Sequence, residues 1–296
     1  MIVSASYRTD IPAFHAGWFA RRLAAGFAMV RNPYGGPDYR VPLTGAAVDG
    51  FVFWTRNLRP FEGVLGTLDA PFVVQFTITG YPRRLDPRVP DPAVAVGQVR
   101  RLARAYGPKA AVWRYDPVVL TTTLDRDWHK RNFARLAGRL RGAVDEVVVS
   151  VMAPFAKTRR NLKPVLLPGE RVEVSADSPT DSTTDSAADA AASLLGDLAA
   201  IAGEMGMRLT TCTMPDLPDL PPARCIDAAR LSAVAGRDIA ARVKGNRPGC
   251  LCAESRDIGA YDTCGHGCAY CYAVGDHHRA LAVALGHDPT RDRLSG

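Results

Sequence analysis

Short runs of β-branched and aromatic residues recur along the first 213 residues and predict six strands. The clearest run, residues 72–79, is entered from Pro71 and closed by Gly80. Such a run between two turn-forming residues is typical of a strand. The predicted strands are residues 2–6, 50–54, 72–79, 110–115, 146–152 and 208–213.

Apolar residues spaced three and four positions apart occur between these runs and predict helices. They lie at residues 99–106, 133–140 and 194–205. The third pattern stops at Gly206, and Asp125 is placed to cap the start of the second helix.

Strands that alternate with helices predict a parallel sheet, because a helix is needed to carry the chain back between parallel strands. Both an open, doubly wound sheet and a partial β/α barrel of about six units satisfy this pattern. The first strand is not followed by the G-x-G-x-x-G turn of dinucleotide-binding domains. We therefore predict the α/β class, in the form of a partial parallel β/α barrel.

Two regions depart from the alternating pattern. Residues 175–190 are small and polar, which predicts a disordered insertion before the next helix. After residue 213 the chain becomes rich in proline and cysteine. We therefore predict a β/α partial barrel over residues 1–213, and an irregular, cysteine-rich iron–sulfur segment over residues 214–296 that packs on the barrel.

Composition and charge narrow the class of protein. With 47% hydrophobic residues the chain can form a sizeable core without disulfides. No secretory signal pattern opens the sequence and no apolar run reaches the length of a membrane span, so we expect a cytoplasmic protein that does not bind membranes. The net charge of +7 permits nucleic acid as a partner, although no nucleic-acid-binding motif accompanies it.

The cysteines point to metal binding. Seven are present, and five of them lie between Cys250 and Cys271. Clustered thiols in a reducing compartment are typical of metal ligands rather than disulfides. Cys264, Cys268 and Cys271 share one glycine-containing loop with C-x3-C-x2-C spacing. Such thiolates can each bind a different iron of a [4Fe–4S] cluster and leave the fourth iron open. The alternative is a structural zinc knuckle, which normally closes with four ligands.

This spacing, with Tyr270 just before the last cysteine, resembles that of radical S-adenosylmethionine enzymes. In those enzymes the open iron binds the amino and carboxylate groups of S-adenosylmethionine, and the reduced cluster cleaves it to generate a deoxyadenosyl radical. The resemblance implies S-adenosylmethionine as a cofactor, Tyr270 as a cofactor-binding residue, and an electron donor such as a ferredoxin or flavodoxin. Most such enzymes carry the loop after the first strand, whereas here it follows the sixth predicted strand.

The other four cysteines form a second set of candidate ligands. Cys250 and Cys252 are too close in sequence for a relaxed disulfide, which favours coordination. With Cys212 and Cys225 they would complete a second cluster or a zinc site. The alternative for Cys212, at the end of the last predicted strand, is an ordinary buried thiol.

Several further stretches resemble a known family. They are residues 6–14 (SYRTDIPAF), 53–57 (FWTRN), 113–117 (WRYDP), 249–264, the cysteine loop and residues 287–289. They are similar to motifs of the family catalogued as domain of unknown function 1848, whose C-terminal cysteines are likened to the cluster of the radical enzymes. The resemblance covers nearly the whole chain except residues 175–192, and it implies no substrate. Val274 departs from the asparagine that we expect in this family.

Polar residues follow three predicted strands, at the end where active sites of β/α barrels lie. Basic groups there could bind the carboxylate of the cofactor or an anionic substrate. The structural alternatives are that Asp10 caps a helix and that Arg114 pairs with Asp116. The candidate catalytic residues are Arg8, Asp10, Arg56, Arg114 and Asp116, and the candidate cofactor-binding residues are Thr55 and Asn57 together with Tyr270.

These features together predict an iron–sulfur protein that is a non-standard radical S-adenosylmethionine-like enzyme, a lyase or transferase whose substrate the sequence does not identify. Two alternatives stay open. One is a nucleic-acid repair lyase of the photoproduct-lyase kind. The other is a zinc-stabilised or electron-transfer protein that does not cleave S-adenosylmethionine.

Overall fold

A computed structural model describes residues 1–33, 35–153, 155–173, 184–214 and 220–294, with the backbone only for residues 184–189. The strands are β1 (Ile2–Ala5), β2 (Phe27–Val30), β3 (Tyr39–Pro42), β4 (Gly50–Thr55), β5 (Phe72–Thr77), β6 (Ala111–Val118), β7 (Glu146–Val151), β8 (Arg208–Thr211) and β9 (Ser255–Asp257). The α-helices are α1 (Ile11–Phe14), α2 (Ala16–Ala25), α3 (Glu62–Leu65), α4 (Pro92–Tyr106), α5 (Arg126–Leu140), α6 (Ala156–Leu162), α7 (Thr184–Glu204), α8 (Ala228–Ala235) and α9 (His277–Gly286). Short 3-10 helices cover Arg59–Phe61, Pro108–Ala110 and Lys163–Val165.

Seven of the strands form one sheet in the order β8-β7-β6-β5-β4-β1-β9, and every neighbouring pair is parallel. The predicted α/β class with a parallel sheet is therefore confirmed. The six predicted strands correspond to β1, β4, β5, β6, β7 and β8, and their ends differ from the prediction by at most three residues. β2 and β3, which the hydrophobic pattern did not predict, form a separate antiparallel pair.

One face of the sheet packs against helices. Val3, Phe53, Val74, Trp113 and Val149 belong to a single buried cluster with apolar residues of α2, α4, α5 and α7. We call this side of the sheet the helix face. Full burial of one such side chain stabilises the fold by roughly 1.5–3 kcal/mol, so this cluster is the main core of the protein.

The opposite face packs against the C-terminal part of the chain, and we call it the segment face. Ile2, Val52, Val73, Val112 and Val148 point to this side and form a second buried cluster. Their partners come from the chain between residues 223 and 253, and they are Ala223, Cys225, Ile226, Leu231, Ile239, Cys252 and Ala253. Two of the seven cysteines therefore lie in the core under the segment face.

The predicted helices are present, with bounds set by their caps. Asp125 Oδ1 accepts a hydrogen bond from the Trp128 backbone N–H (2.8 Å) at the start of α5, as predicted. The predicted insertion at residues 175–190 is helical from Thr184 onward, where α7 begins. This differs from the prediction because alanine-rich sequence favours a helix once a neighbouring turn is formed. Residues 175–183 of that prediction lie outside the described residues.

The position of β9 changes the interpretation of the cysteine loop. β9 is the seventh strand of the sheet and pairs in parallel with β1 at the sheet edge. Its sequence, Ser255-Arg256-Asp257, is short and polar, so it lacks the apolar alternation that predicts a strand. The loop that follows it therefore leaves the sheet beside the first strand. Across the described residues, the structure contains no helix that is long and apolar enough to span a membrane.

Candidate functional site

The cysteine loop, residues 264–271, is fastened to the segment that follows β1. His15 Nε2 lies 3.0 Å from the carbonyl oxygen of Thr263. The hydroxyl of Thr263 also donates a hydrogen bond to the hydroxyl of Thr9 (2.8 Å). Because β9 and β1 are parallel neighbours, both connecting segments begin at the same edge of the sheet. The loop and the predicted polar residues after β1 therefore meet in space.

Two glycines allow the loop to pack closely against its surroundings. A Cβ at Gly265 would lie 2.8 Å from the Phe14 ring, and one at Gly267 would lie 2.3 Å from Arg88 Nη2. Gly267 also has φ +74°, in the left-handed region that favours glycine. Arg88 Nε donates to the carbonyl oxygen of Gly265 (2.6 Å). The turn of the loop thus depends on side chains being absent at both positions.

Arg56 connects the loop to the end of β4. Its Nη1 lies 3.0 Å from Cys268 Sγ, 2.8 Å from the Tyr270 hydroxyl and 2.7 Å from Asp86 Oδ1. Its Nη2 donates to the Thr79 hydroxyl (2.6 Å). The Tyr270 hydroxyl donates in turn to Asp86 (2.7 Å), whose side chain is 1% exposed. A buried carboxylate needs such partners, so Arg56, Asp86, Thr79 and Tyr270 form one interdependent polar network.

Asp10 has two roles, one on each carboxylate oxygen. Oδ1 accepts from the Ala13 backbone N–H (2.9 Å) and caps α1, which confirms the structural alternative. Oδ2 accepts from the Arg56 backbone N–H (2.8 Å) and lies 2.8 Å from His266 Nε2. Asp10 therefore ties the segment after β1 to the segment after β4 and to the middle of the cysteine loop.

The three loop thiols are electrostatically coupled. Burial raises the pKa of Cys264, Cys268 and Cys271, and the neighbouring thiols raise it further for Cys264 and Cys268. Arg56 lowers the pKa of Cys268 in opposition to burial, and the backbone N–H groups of residues 273 and 274 do so for Cys271. A metal binds the thiolate form, so binding at this loop would release the protons that burial favours.

The residues of the loop fit an iron–sulfur cluster by their donor chemistry. Each of the three sulfurs accepts at least one N–H hydrogen bond, and this is a property that tunes cluster thiolates. Over the described residues, no group of three or more His, Cys, Asp or Glu side chains has the arrangement of a metal-ion site. Cluster thiolates bind separate irons, so they need not converge on one point as the ligands of a single ion do.

The other four cysteines come together on the segment face, away from the loop network. Cys225 Sγ lies 3.6 Å from Cys212 Sγ at the end of β8. Cys252 contacts the thiol of Cys225 and also that of Cys250. The hydrogen bond from Cys252 lowers the pKa of Cys250 to about 6, and backbone N–H groups contribute to this shift. The grouping inferred from cysteine counting therefore matches a cluster of thiols in space.

Arg114 and Asp116 belong to this second group of thiols rather than to the loop. Arg114 Nη1 donates to Cys225 Sγ (3.0 Å) and to Gln75 Oε1 (3.2 Å). The guanidinium also forms an ion pair with Asp116, which accepts from the Ser150 hydroxyl. The structural alternative of an ion pair is thus confirmed, and Arg114 also donates a hydrogen bond to the Cys225 thiol.

The remaining predicted site residues are held by neighbours of their own. Arg8 Nε donates to Asp257 Oδ1 (2.8 Å), and both side chains are buried. The Thr55 hydroxyl accepts from the Asn57 backbone N–H (2.9 Å). Asn57 Oδ1 accepts from Gln98 of α4 (3.0 Å), on the helix side of the sheet. Thr55 and Asn57 therefore stabilise the turn after β4, while their neighbour Arg56 contacts the loop.

Sequence reasoning missed several residues of the site. Asp86 and Thr79 lie in the segment after β5, and no motif marks them as partners of Arg56. Asp257 lies within a stretch that carries the family resemblance, yet its role as the partner of Arg8 depends on β9 pairing with β1. A cavity of about 300 Å³ reaches Arg56 and Asp86 from the helix side, and Arg83 is one of the other residues that line it.

A family model described as Domain of unknown function (DUF1848) matches residues 2–273. The chain belongs to this family. The DUF1848 match includes the nine strands of the described residues and both groups of cysteines, and it ends before α9. Neither a comparison with curated proteins nor one with solved structures found a match.

Proposed function

We propose that this protein is an iron–sulfur enzyme of the radical S-adenosylmethionine type. Cys264, Cys268 and Cys271 would hold three irons of a [4Fe–4S] cluster, with the fourth iron open to the cofactor. The observation that carries the proposal is the loop itself. Its three thiols, of which Cys268 is buried and Cys264 and Cys271 are half-buried, accept N–H hydrogen bonds beside the end of the first strand. When bound, such a cluster supplies one electron for reductive cleavage of S-adenosylmethionine.

The topology supports a partial barrel as the scaffold of this site. Strands are added in chain order from β1 to β8 across the sheet, and β9 then joins the opposite edge. A chain that passes from one edge to the other travels a short distance when the sheet is curled. The carboxyl ends of the strands would then surround the loop, as they surround the active sites of β/α barrels.

The polar network would keep the loop rigid during the reaction. Arg56 donates hydrogen bonds to Cys268, Tyr270 and Asp86, so the Cys268 thiol has a fixed position. The guanidinium charge beside this sulfur favours the thiolate form that binds iron. Arg56 and Tyr270 would therefore act as positioning residues at the cluster.

Lys157 is the residue best placed to bind the carboxylate of the cofactor. Arg8, Arg56 and Arg114 are each paired with an aspartate. The charge of Lys157 acts on Cys271, and its Nζ lies 5.7 Å from the centre of the Tyr261 ring. The ammonium of Lys157 would pair with the carboxylate of S-adenosylmethionine, and the Tyr261 ring would contact its positively charged sulfonium.

Metal analysis after anaerobic reconstitution tests the cluster. We expect about four irons and four sulfides per chain in the loop, and their loss when Cys264, Cys268 and Cys271 are all changed to Ala. Cys212→Ala, which removes a thiol outside the loop, is the matched control and should keep this iron. Retention of the iron in the triple variant would overturn the proposal. Reduction in the presence of S-adenosylmethionine, with an external donor such as a ferredoxin or flavodoxin, should release deoxyadenosine.

Cofactor binding tests the role of Lys157. Loss of a charge-assisted contact corresponds to about 1.5–3 kcal/mol, or a roughly ten- to hundredfold weaker Kd. Equilibrium binding of S-adenosylmethionine to the reconstituted protein should show this loss in Lys157→Ala. Lys163→Ala removes an exposed lysine that directly follows α6, the helix that contains Lys157. This variant should bind S-adenosylmethionine with the affinity of the wild type. Equal affinities in the two variants would contradict the assignment of Lys157.

A further inference from the structure

The four thiols on the segment face are drawn from distant parts of the chain. Cys212 follows β8, Cys225 lies ahead of α8, and Cys250 and Cys252 lie ahead of β9. They meet only because the C-terminal segment folds back over the sheet. Four thiols from three separate segments therefore occupy one small region of the core.

The Cys212 and Cys225 sulfurs are spaced like two ligands of a single ion. Zinc binds thiolates at about 2.3 Å in a tetrahedron, which places the sulfurs roughly 3.8 Å apart. Cys212 Sγ and Cys225 Sγ are 3.6 Å apart. The thiolates of a cubane cluster bind different irons, so its sulfurs lie farther from one another. The observed distance therefore favours one ion over a second cluster.

Each of the four sulfurs also accepts an N–H hydrogen bond, as metal-bound thiolates commonly do. The donors are Arg114 Nη1 to Cys225 (3.0 Å), the Ile226 backbone N–H to Cys252 (3.4 Å), Arg247 Nη2 to Cys212 (3.6 Å) and the Asn246 backbone N–H to Cys250. The two arginines supply positive charge beside a site that becomes anionic when four thiolates bind a divalent ion. Donors of this kind orient ligands and stabilise their charge.

The chain around Cys250 is shaped for a tight turn. A Cβ at Gly245 would lie 2.1 Å from the carbonyl oxygen of Cys250, so only glycine allows this approach. The Lys244 backbone N–H donates to the carbonyl oxygen of Cys252 (2.9 Å), which pins the two ends of the turn together. The turn presents Cys250 and Cys252 toward the same side.

We propose that Cys212, Cys225, Cys250 and Cys252 bind one zinc ion tetrahedrally, and that this ion fastens the C-terminal segment to the sheet. Each thiol that binds gives up its proton to solvent, and the metal is neither oxidised nor reduced. In the structure the four thiols contact one another in a row. Zinc binding would therefore turn the side chains of Cys250 and Cys252 toward the Cys212–Cys225 pair. The proposal stands apart from the loop cluster, since the two groups share no ligand.

The test uses the full chain with Cys264, Cys268 and Cys271 changed to Ala, which removes the loop thiols. Purified without added metal, this variant should contain about one zinc per chain and no sulfide. Changing Cys212 and Cys225 to Ala in addition should remove the zinc. Iron with sulfide in the triple variant, or no metal at all, would overturn the proposal. If the triple variant contains zinc but the wild-type loop binds no iron, the proposed radical function is wrong and the zinc site is still supported.

A second measurement does not depend on the folding of variants. The metal-free wild-type chain is labelled with a maleimide before and after addition of zinc, and the labelled cysteines are identified by mass spectrometry. Zinc should protect Cys212, Cys225, Cys250 and Cys252 together and leave the labelling of the loop cysteines unchanged. Protection of the loop cysteines instead, or protection of no cysteine, would overturn the proposal.

Discussion

The two groups of cysteines differ in how the chain brings them together. Cys264, Cys268 and Cys271 lie within eight residues of one loop, so local turns alone bring the three thiols near one another. The other four thiols approach each other only when β8 and the C-terminal segment are both in place. The first group can form as a local unit, whereas the second depends on the completed fold.

Their surroundings differ as well. The loop group faces a buried network of charged and hydroxyl side chains centred on Arg56. In the second group, Cys225 and Cys252 lie in an apolar cluster with Ile226 and Leu231, and Arg114 contacts Cys225. Three donors suit a centre that takes a further ligand, whereas four donors suit a closed structural site. The number of cysteines alone therefore does not determine what a group of thiols binds.

The largest expected effect comes from Arg56→Ala. The change leaves the buried Asp86 carboxylate without its cation, which costs about 3–5 kcal/mol when a buried pair is broken. Arg247→Ala, at the exposed edge of the second group, should cost less than about 1 kcal/mol. Urea unfolding monitored by circular dichroism measures both. Equal losses of unfolding free energy in Arg56→Ala and Arg247→Ala would contradict a difference between the two environments.

Changing one glycine to alanine near each cysteine group should disturb that group alone. Each change should lower the free energy of unfolding by about 1–3 kcal/mol. Gly267→Ala strains a left-handed residue and meets Arg88, so the loop should lose its iron while zinc stays. The added Cβ of Gly245→Ala would clash with the carbonyl oxygen of Cys250, so this variant should lose its zinc and keep its iron. Metal analysis and thermal unfolding provide the measurements.

Gly286→Ala is the matched control for both changes, because no atom lies within 4 Å of its added Cβ. It should keep both metals and the wild-type Tm. A loss of both metals in either of the other variants would mean that the two groups are not independent.

A further effect concerns acid stability on the side of the loop. Burial alone would raise the pKa of Glu170, but the Leu167 N–H and the hydroxyls of Thr121 and Thr123 lower it to about 2, from an ordinary value of 4.5. A lowered carboxylate pKa stabilises the fold above pH 4.5, and this contribution is lost as the pH falls toward 2. We expect about 1–3 kcal/mol from this group at neutral pH.

Glu170→Gln should therefore be less stable than the wild type at pH 7 and nearly equal to it near pH 2. Residues beside Glu170 pack in the same cluster as Cys268 and Tyr270, so the effect belongs to the loop side of the molecule. Chemical unfolding of both proteins across this pH range measures it. A constant difference at every pH would show that the carboxylate charge does not contribute.

The fold was predictable where local pattern determines it. β5 and its neighbours have β-branched and aromatic runs, and α5 has a capping aspartate, so these elements follow from a few adjacent residues. β9 could not be predicted, because a three-residue polar strand is stabilised by pairing with β1 and not by its own sequence. The helical start of α7 within the predicted insertion likewise reflects its continuation into the apolar part of the helix.

The candidate site follows the same division. The seven cysteines and Arg56 were predictable, because spacing and strand ends mark them. Asp86 and Asp257 were not, since each acts through a partner that is distant in sequence. Arg8 and Arg114 were predicted as catalytic candidates because of their position. The pairing of Arg114 with Asp116 was also expected from the sequence, whereas the partner of Arg8, Asp257, could be recognised only from the folded chain.

The pairing of β9 with β1 has a consequence for the order in which the protein is made. β1 is synthesised before its neighbour on this edge, Ser255–Asp257, which follows some 250 residues later. Domains form as their strands become available, so this edge of β1 stays unpaired until Ser255–Asp257 has emerged. The cysteine loop follows β9 along the chain, so its three thiols reach their places only after this late pairing has formed.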